Sequence, residues 1–383
     1  MKNLLLFIMC CSSLASCKKK QQEENTETNP QKISYENVNI SYATGFNIQT
    51  TTTGYYLTIK NPWPEAKETY RYKIVKGFGS PEAKDTDAPI TIQAPISSII
   101  LTSTTHVPPV ALLNEIPSIA GFPGTDYISN VNVRKRIDAG KITELGTNKQ
   151  LSIECVLTIQ PDLVMGYGID NSNALYTQIA RAGVPVLYNG DWTEEHPLGK
   201  AEWIKVFGIL YGKQHEADSI FKTIEREYLK TKKRVAMLKP ATVMSGATWK
   251  DIWYLPYGDS WQGKLIDDAA GDYTYKETKG KGSLAYNIER VLKDAQKARI
   301  WIAPAQYTSY RSMLNDQPAY ALFDAFKNKN IYTFALTKGA KGGVTYYEEA
   351  AMRPDIVLKD LVTILHPEVD LNHKLYFFKP LTD

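Results

Sequence analysis

The spacing of apolar residues changes character several times along the chain. Within residues 33–75, "YYLTIKNPW" is β-branched and aromatic, and "ETYRYKIV" alternates at period two. Gly54, Pro62 and Pro64 bound these runs, so the pattern predicts a small antiparallel set with turns near Thr53-Gly54 and Asn61-Pro62. From residue 95 short apolar runs alternate with helical spacing. "PISSIILTS" reads as a buried strand, "SIECVLTIQ" as a helix, and "PDLVMGYG" as a strand entering a glycine-rich loop. "ALYTQIARAG" is a helix stopped by Gly183, and "VPVLYNG" is a further strand. Ala217, Ile220, Phe221, Ile224 and Tyr228 then fall on one face of a single helix from Gly212 to about Met237. The alternation restarts with the strand "ATVMSGA" and the helix "SWQGKLIDDAAG", capped by Ser260 and stopped by Gly271. "NIERVLKDAQKA" (helix), "RIWIAPA" (strand), "PAYALFDAFKN" (helix) and "NIYTFAL" (strand) follow. A last helix, "PDIVLKDLVTIL", starts at Pro354. Such alternation predicts an α/β protein: two Rossmann-like lobes with parallel sheets, joined by a single long α-helix, with a small N-terminal β extension.

The first residues do not belong to that pattern. Lys2 precedes an apolar run from Leu4 to Cys11, followed by small residues, which is the layout of a secretory signal. Leu14-Ala15-Ser16-Cys17 resembles a bacterial lipobox, in which the cysteine is lipidated and becomes the mature N-terminus. The expected organisation is a signal peptide at 1–16, a polar tether at 17–32, an N-terminal lobe with its β extension at 33–212, a connecting helix at 213–238 and a C-terminal lobe at 239–383. Of the four cysteines, Cys17 and Cys155 survive removal of the signal, and acylation of Cys17 leaves no pair for an internal disulfide. Cys155 reads as a small buried hydrophobe. An apolar content of 43% with 22% charged residues describes a globular protein, and a formal charge of +4 is too small to indicate nucleic acid.

One local pattern occurs twice. "SIECVL" at 152–157 and "NIERVL" at 287–292 each place an N-cap residue before isoleucine and glutamate, and each runs on into a strand. Glu154 and Glu289 then sit in a first helical turn. The helix dipole favours a carboxylate there by roughly 0.3–1 kcal/mol, whatever its use.

At these residues the chain resembles the periplasmic substrate-binding proteins that deliver iron-siderophores, haem or cobalamin to ABC importers. "GFNIQ", "IKNPWP", "DWTEEHPLGKAEW", "IWYLPYGDSW" and "RPDIVLKDLVTILHPE" occur in the order of a subgroup of that family. "TSTTHVPP" stands where the family usually has a Ser/Pro-rich turn. The resemblance implies a lipid-anchored receptor on the periplasmic side of the envelope. Its partner would be an ABC permease dimer, gripped through Glu154 and Glu289. A two-fold partner suits equivalent acids on two lobes, and arginine pairs with carboxylate in a bidentate fork.

In open α/β sheets ligands bind beyond the carboxyl ends of strands. Those loops are Thr104 to His106, Gly166 to Ile169, Asp191-Trp192, Thr248-Trp249, Gln306 to Arg311 and Lys338 to Tyr347. Their aromatics suit a large planar ligand, and the candidate contacts are Tyr167, Trp192, Trp249, Trp253, Tyr307 and Tyr346, with Arg311 for anionic groups. Arg311, Lys338 and Lys341 would meet carboxylates or catecholates. An iron-siderophore is the expected cargo, with cobalamin or haem as the alternative, and a surface glycan-binding lipoprotein as a reading of another class. Few cations in the cleft would suit cobalamin and several a ferric catecholate. No catalytic residue, metal site or cofactor is expected: the five histidines form no HxxxH pair with a third ligand, and there is no GxSxG elbow or GxxxxGK[ST] loop.

Overall fold

The structure, a computed structural model, describes residues 36–60, 62–64, 66–77, 90–168 and 174–383. The signal peptide, the tether with Cys17, and Ile169 lie outside the described residues. The N-terminal extension is a five-stranded sheet in sequence order: β1 (Glu36–Asn37), β2 (Phe46–Thr50), β3 (Gly54–Ile59), β4 (Tyr70–Lys76) and β5 (Ile90–Ala94). Its first four strands pair antiparallel, as the pattern of residues 33–75 predicts, and β5, beyond that stretch, runs parallel to β4. Ile48, Leu57, Tyr72 and Ile74 are fully buried beneath it. Gly54 is needed because a Cβ there would stand 1.9 Å from the Ile74 carbonyl oxygen.

The N-terminal lobe holds a parallel sheet of β6 (Ile99–Leu101), β7 (Ile119–Phe122), β8 (Thr143–Glu144), β11 (Leu163–Gly166) and β12 (Val186–Tyr188), ordered β12-β11-β6-β7-β8. A two-stranded hairpin, β9 (Gly146–Thr147) and β10 (Gln150–Leu151), follows β8. This is the doubly-wound order, and its direction reverses between β6 and β11.

The C-terminal lobe is built on β13 (Ala241–Ser245), β16 (Gly271–Tyr273), β18 (Ile300–Ile302), β19 (Ile331–Thr333) and β20 (Lys379–Pro380), ordered β16-β13-β18-β19-β20. All but β20 are parallel, and the order reverses between β13 and β18. A three-stranded antiparallel sheet, β14 (Ala247–Trp249), β15 (Ile252–Pro256) and β17 (Ser283–Tyr286), is inserted beside it. Lys250 and Asp251 both have positive φ, as the two central residues of a tight hairpin turn require.

The connecting helix runs from Gln214 to Val235, about 33 Å at 1.5 Å per residue. Ala217, Phe221, Ile224 and Tyr228 form its buried face, as the spacing predicts, and it packs on the helices Ile204–Leu210 and Pro354–Leu365. The Tyr228 hydroxyl donates to Asp268 at 2.6 Å, and Lys232 pairs with the same carboxylate at 2.6 Å. Asp268 is therefore a buried tie between helices, not the solvated acid its place late in a helix suggests.

Candidate ligand-binding cleft

The reversal point of the N-terminal lobe lies at the gap between the lobes, where Thr102 and Tyr167 meet Val344 and Tyr347 of the other lobe. In the N-terminal lobe Thr102 joins the two strands that diverge there. Its hydroxyl donates to the Met165 carbonyl at 2.9 Å and accepts from the Tyr167 N–H at 2.8 Å and the Tyr176 hydroxyl at 3.1 Å. Tyr167 and Trp192 are thereby set side by side, with ring centroids 5.9 Å apart and both half-buried. The turn carrying Trp192 is held from beneath. Asn189 accepts from the Asp191 N–H at 2.8 Å, and the buried Lys200 ammonium donates to the carbonyls of Asp191 and Trp192, each at 3.0 Å. Burial lowers the Lys200 pKa to about 8, against the pull of Asp191 and Glu194.

Under this pair lie polar atoms without protein partners. His106 is fully buried and neither ring nitrogen is bonded. One Asp191 carboxylate oxygen and the Trp192 indole N–H are likewise unmatched. Burial lowers the His106 pKa to about 4, with Asp191 opposing the shift.

The lobes touch at one rim of the cleft. Glu348, buried on the C-terminal lobe, accepts from the Ser129 N–H and hydroxyl and from the Asn130 N–H at 3.0 Å. Gly339 and Gly343 allow the approach: a Cβ on Gly343 would stand 2.1 Å from the Tyr127 carbonyl oxygen, and one on Gly339 2.6 Å from the Ser129 Cα. Elsewhere Lys264 of one lobe stands 4.0 Å from Glu195 of the other, and the Lys200 ammonium lies 5.2 Å over the Trp261 ring.

Two cavities flank the Tyr167–Trp192 pair. The larger, about 460 Å³, lies among Trp192, Thr193, Glu194 and Glu195 of the N-terminal lobe, Pro256, Ser260–Gln262 and Gly280–Ser283 of the C-terminal lobe, and a segment of the extension. The smaller, about 270 Å³, lies among Thr102–Thr104, Phe122, Tyr127, Asn148 and Tyr167, with Val344 and Tyr347 closing it from the other lobe, and among the described residues no charged side chain lines it.

The expected ligand residues separate into three groups. Trp192 and Tyr167 line the cavities. Trp253 and Tyr346, also expected at the ligand, are buried and line neither cavity. Trp253 has no exposed surface, stacks on Trp301 at 5.2 Å and donates its indole N–H to the Ser245 carbonyl; it plugs the end of the C-terminal sheet. Tyr346 is buried, stacked at 4.6 Å on Phe334 and flanked by Phe377 and Phe378. Trp249 (68% exposed, at a hairpin tip), Tyr307 and the exposed Arg311 line neither cavity. Lys338 and Lys341 are also exposed and outside both. Trp261, Asn148 and Tyr127 escaped sequence reading because their neighbours across the cavities are distant in the chain.

A family model described as periplasmic binding protein matches residues 99–335. The chain belongs to the periplasmic binding protein family. As a member it shares the two-lobed fold with solved structures, among them a periplasmic haem-binding protein from Pseudomonas aeruginosa. That match has a TM-score of 0.56 and 14% identity, and covers 75% of this chain and 99% of the other. A possible iron-binding periplasmic solute-binding protein from Staphylococcus epidermidis gives a TM-score of 0.55 at 17% identity, covering 70% and 98%. An uncharacterised lipoprotein of Methanocaldococcus jannaschii is 26% identical over 296 residues, covering 75% of this chain and 69% of its own length. The family comprises binding proteins rather than enzymes.

This periplasmic binding protein presents the repeated glutamates as the repeat predicts. Ser152 accepts from the Cys155 N–H at 3.3 Å, and Asn287 from the Arg290 N–H at 3.0 Å. Glu154 and Glu289 each follow by one position in the first turn of the helices Ile153–Ile159 and Ile288–Ala295, and both are exposed.

Proposed function

We propose that the protein is the substrate-binding lipoprotein of an ABC importer, and that it captures a metal chelate of little net charge between its lobes. The observation that carries this reading is the charge of the cavity walls. Among the described residues the smaller cavity has no charged side chain, and the larger has Glu194, Glu195 and Lys281. Arg311, Lys338 and Lys341, the cations that would meet catecholates, line neither. A ferric tricatecholate carries three negative charges, and moving it from water into such walls is opposed by desolvation without compensating cations. A ferric trihydroxamate is neutral, and a corrinoid nearly so. Both place apolar surface against the aromatic rings of Trp192, Trp261 and Tyr167.

Lipidation of Cys17 and docking through Glu154 and Glu289 complete the proposal. The first is supported by the lipobox and by curated relatives named lipoproteins, the second by the matched exposure of the two acids. The test is a titration of tryptophan fluorescence with a ferric trihydroxamate, cyanocobalamin, haem and a ferric tricatecholate. A neutral chelate is expected to bind at least about tenfold more tightly than the tricatecholate. Tighter binding of the tricatecholate, or of none of the four, overturns the reading.

A further inference from the structure

The N-terminal extension lies outside the segment that matches the family, yet it reaches the larger cavity. Thr44, Trp63, Pro64 and Ala66 form a side of it that neither lobe supplies. We infer that this segment is a third wall of the ligand site, a subsite for an uncharged peripheral arm of the bound chelate. The inference rests on the cleft being the chelate site.

Two features argue that the wall is built rather than incidental. The first is its anchorage. Glu202 has no exposed side-chain surface, and it accepts from the N–H groups of Ser41, Tyr42 and Ala43 at 2.8–2.9 Å. Glu194, also buried, accepts from the N–H and hydroxyl of Thr44, the Gly45 N–H at 2.8 Å and the Trp203 indole at 3.0 Å. Five consecutive backbone donors thus close on two carboxylates of one motif, "DWTEEHPLGKAEW". Gly45 and Gly199 permit the approach: a Cβ on Gly199 would stand 3.0 Å from the Tyr42 carbonyl oxygen, and one on Gly45 3.0 Å from the Trp203 ring. The second feature is stiffness. Pro62 and Pro64 restrict the backbone around Trp63, whose ring packs edge-on against Tyr188 at the end of β12, 5.3 Å away, and Ala66 donates back to the Trp63 carbonyl. A rigid wall loses little entropy on binding and can therefore discriminate by shape.

Its chemistry narrows the occupant. Among the described residues the wall offers a threonine hydroxyl, a proline ring, an alanine methyl and an edge of the buried Trp63 indole, none of them charged. The opposite side offers Ser260, Gln262, the backbone of Gly280 and Gly282, and the Lys281 ammonium as a donor for an amide carbonyl. Such a slot takes an amide or alkyl arm that projects sideways from the metal centre.

The test uses the full mature chain. Wild type is first titrated with cyanocobalamin and a ferric trihydroxamate; if it binds neither, the cleft reading itself fails. If it binds one, Ala66→Trp fills the slot and is expected to weaken that binding by at least about tenfold, with an unchanged melting temperature. An unchanged Kd in the folded variant overturns the third wall and leaves the cleft reading intact. Should Ala66→Trp not fold, hydrogen exchange of the wild type decides: the amides of Trp63 and of residues 66–70 are expected to slow on adding the chelate, and unaltered exchange there overturns the inference.

Discussion

His106 shows how a single side chain can link burial to acid stability. It sits in the turn after β6, fully buried and without a hydrogen bond. Its folded pKa of about 4 lies below the ordinary value of 6.5. Between those values the unfolded chain holds the proton and the folded one does not, so stability falls as pH drops through that window. The full difference is about 3 kcal/mol. Denaturant melts at pH 7 and pH 4.5 should show a smaller acid loss in His106→Leu than in wild type, by about 2 kcal/mol; equal losses would mean that the ring is protonated or solvated in the folded state. Glu202 shows the converse. It is buried, but three backbone donors and Lys205 at 2.8 Å satisfy it. Glu202→Ala strands those donors and the ammonium, and should lower stability by about 3 kcal/mol in urea melts while hastening proteolysis of the extension. The motif around it was visible in the sequence, but its partners were not, because they lie about 160 residues upstream.

Local elements were the most legible scale. Both first-turn glutamates, their N-caps and the buried face of the connecting helix follow from side-chain periodicity, which the backbone enforces locally. Strand β5 beside β4 did not follow, since parallel pairing needs a long connection whose course the pattern does not encode. The ligand aromatics divided for a similar reason. Trp192 sits in the turn after β12 and flanks a cavity, whereas Trp253 sits in β15 and stacks on Trp301 inside the lobe. The docking proposal belongs at this scale, because it concerns two helix starts. Glu154→Lys with Glu289→Lys should abolish stimulation of the permease's ATPase by loaded receptor while leaving chelate Kd unaltered. Each single reversal should retain part of the stimulation. Full stimulation by the double variant would remove these helices from the interface.

At the scale of the whole molecule, the connecting helix and the Glu348 contact govern how far the lobes can part. The helix has no proline or glycine between Gln214 and Val235, so bending it is costly and closure is small. Glu348 holds the rim shut; burial pushes its carboxyl pKa up, while the Ser129 and Asn130 donors hold it down. Glu348→Ala should speed dissociation of a bound chelate about tenfold, as lost charge-assisted bonds act chiefly on off-rates. An unchanged off-rate in stopped flow would show that the rim carries no part of retention. The α/β alternation, the long helix and the paired acids were legible in the residue pattern, because each depends on contacts within one turn or one strand. Long-range packing settled which aromatics face the cavities, that Arg311, Lys338 and Lys341 stay outside them, and that the extension reaches the larger one. Those outcomes depend on which surfaces meet when segments over a hundred residues apart pack, and no local pattern carries that information.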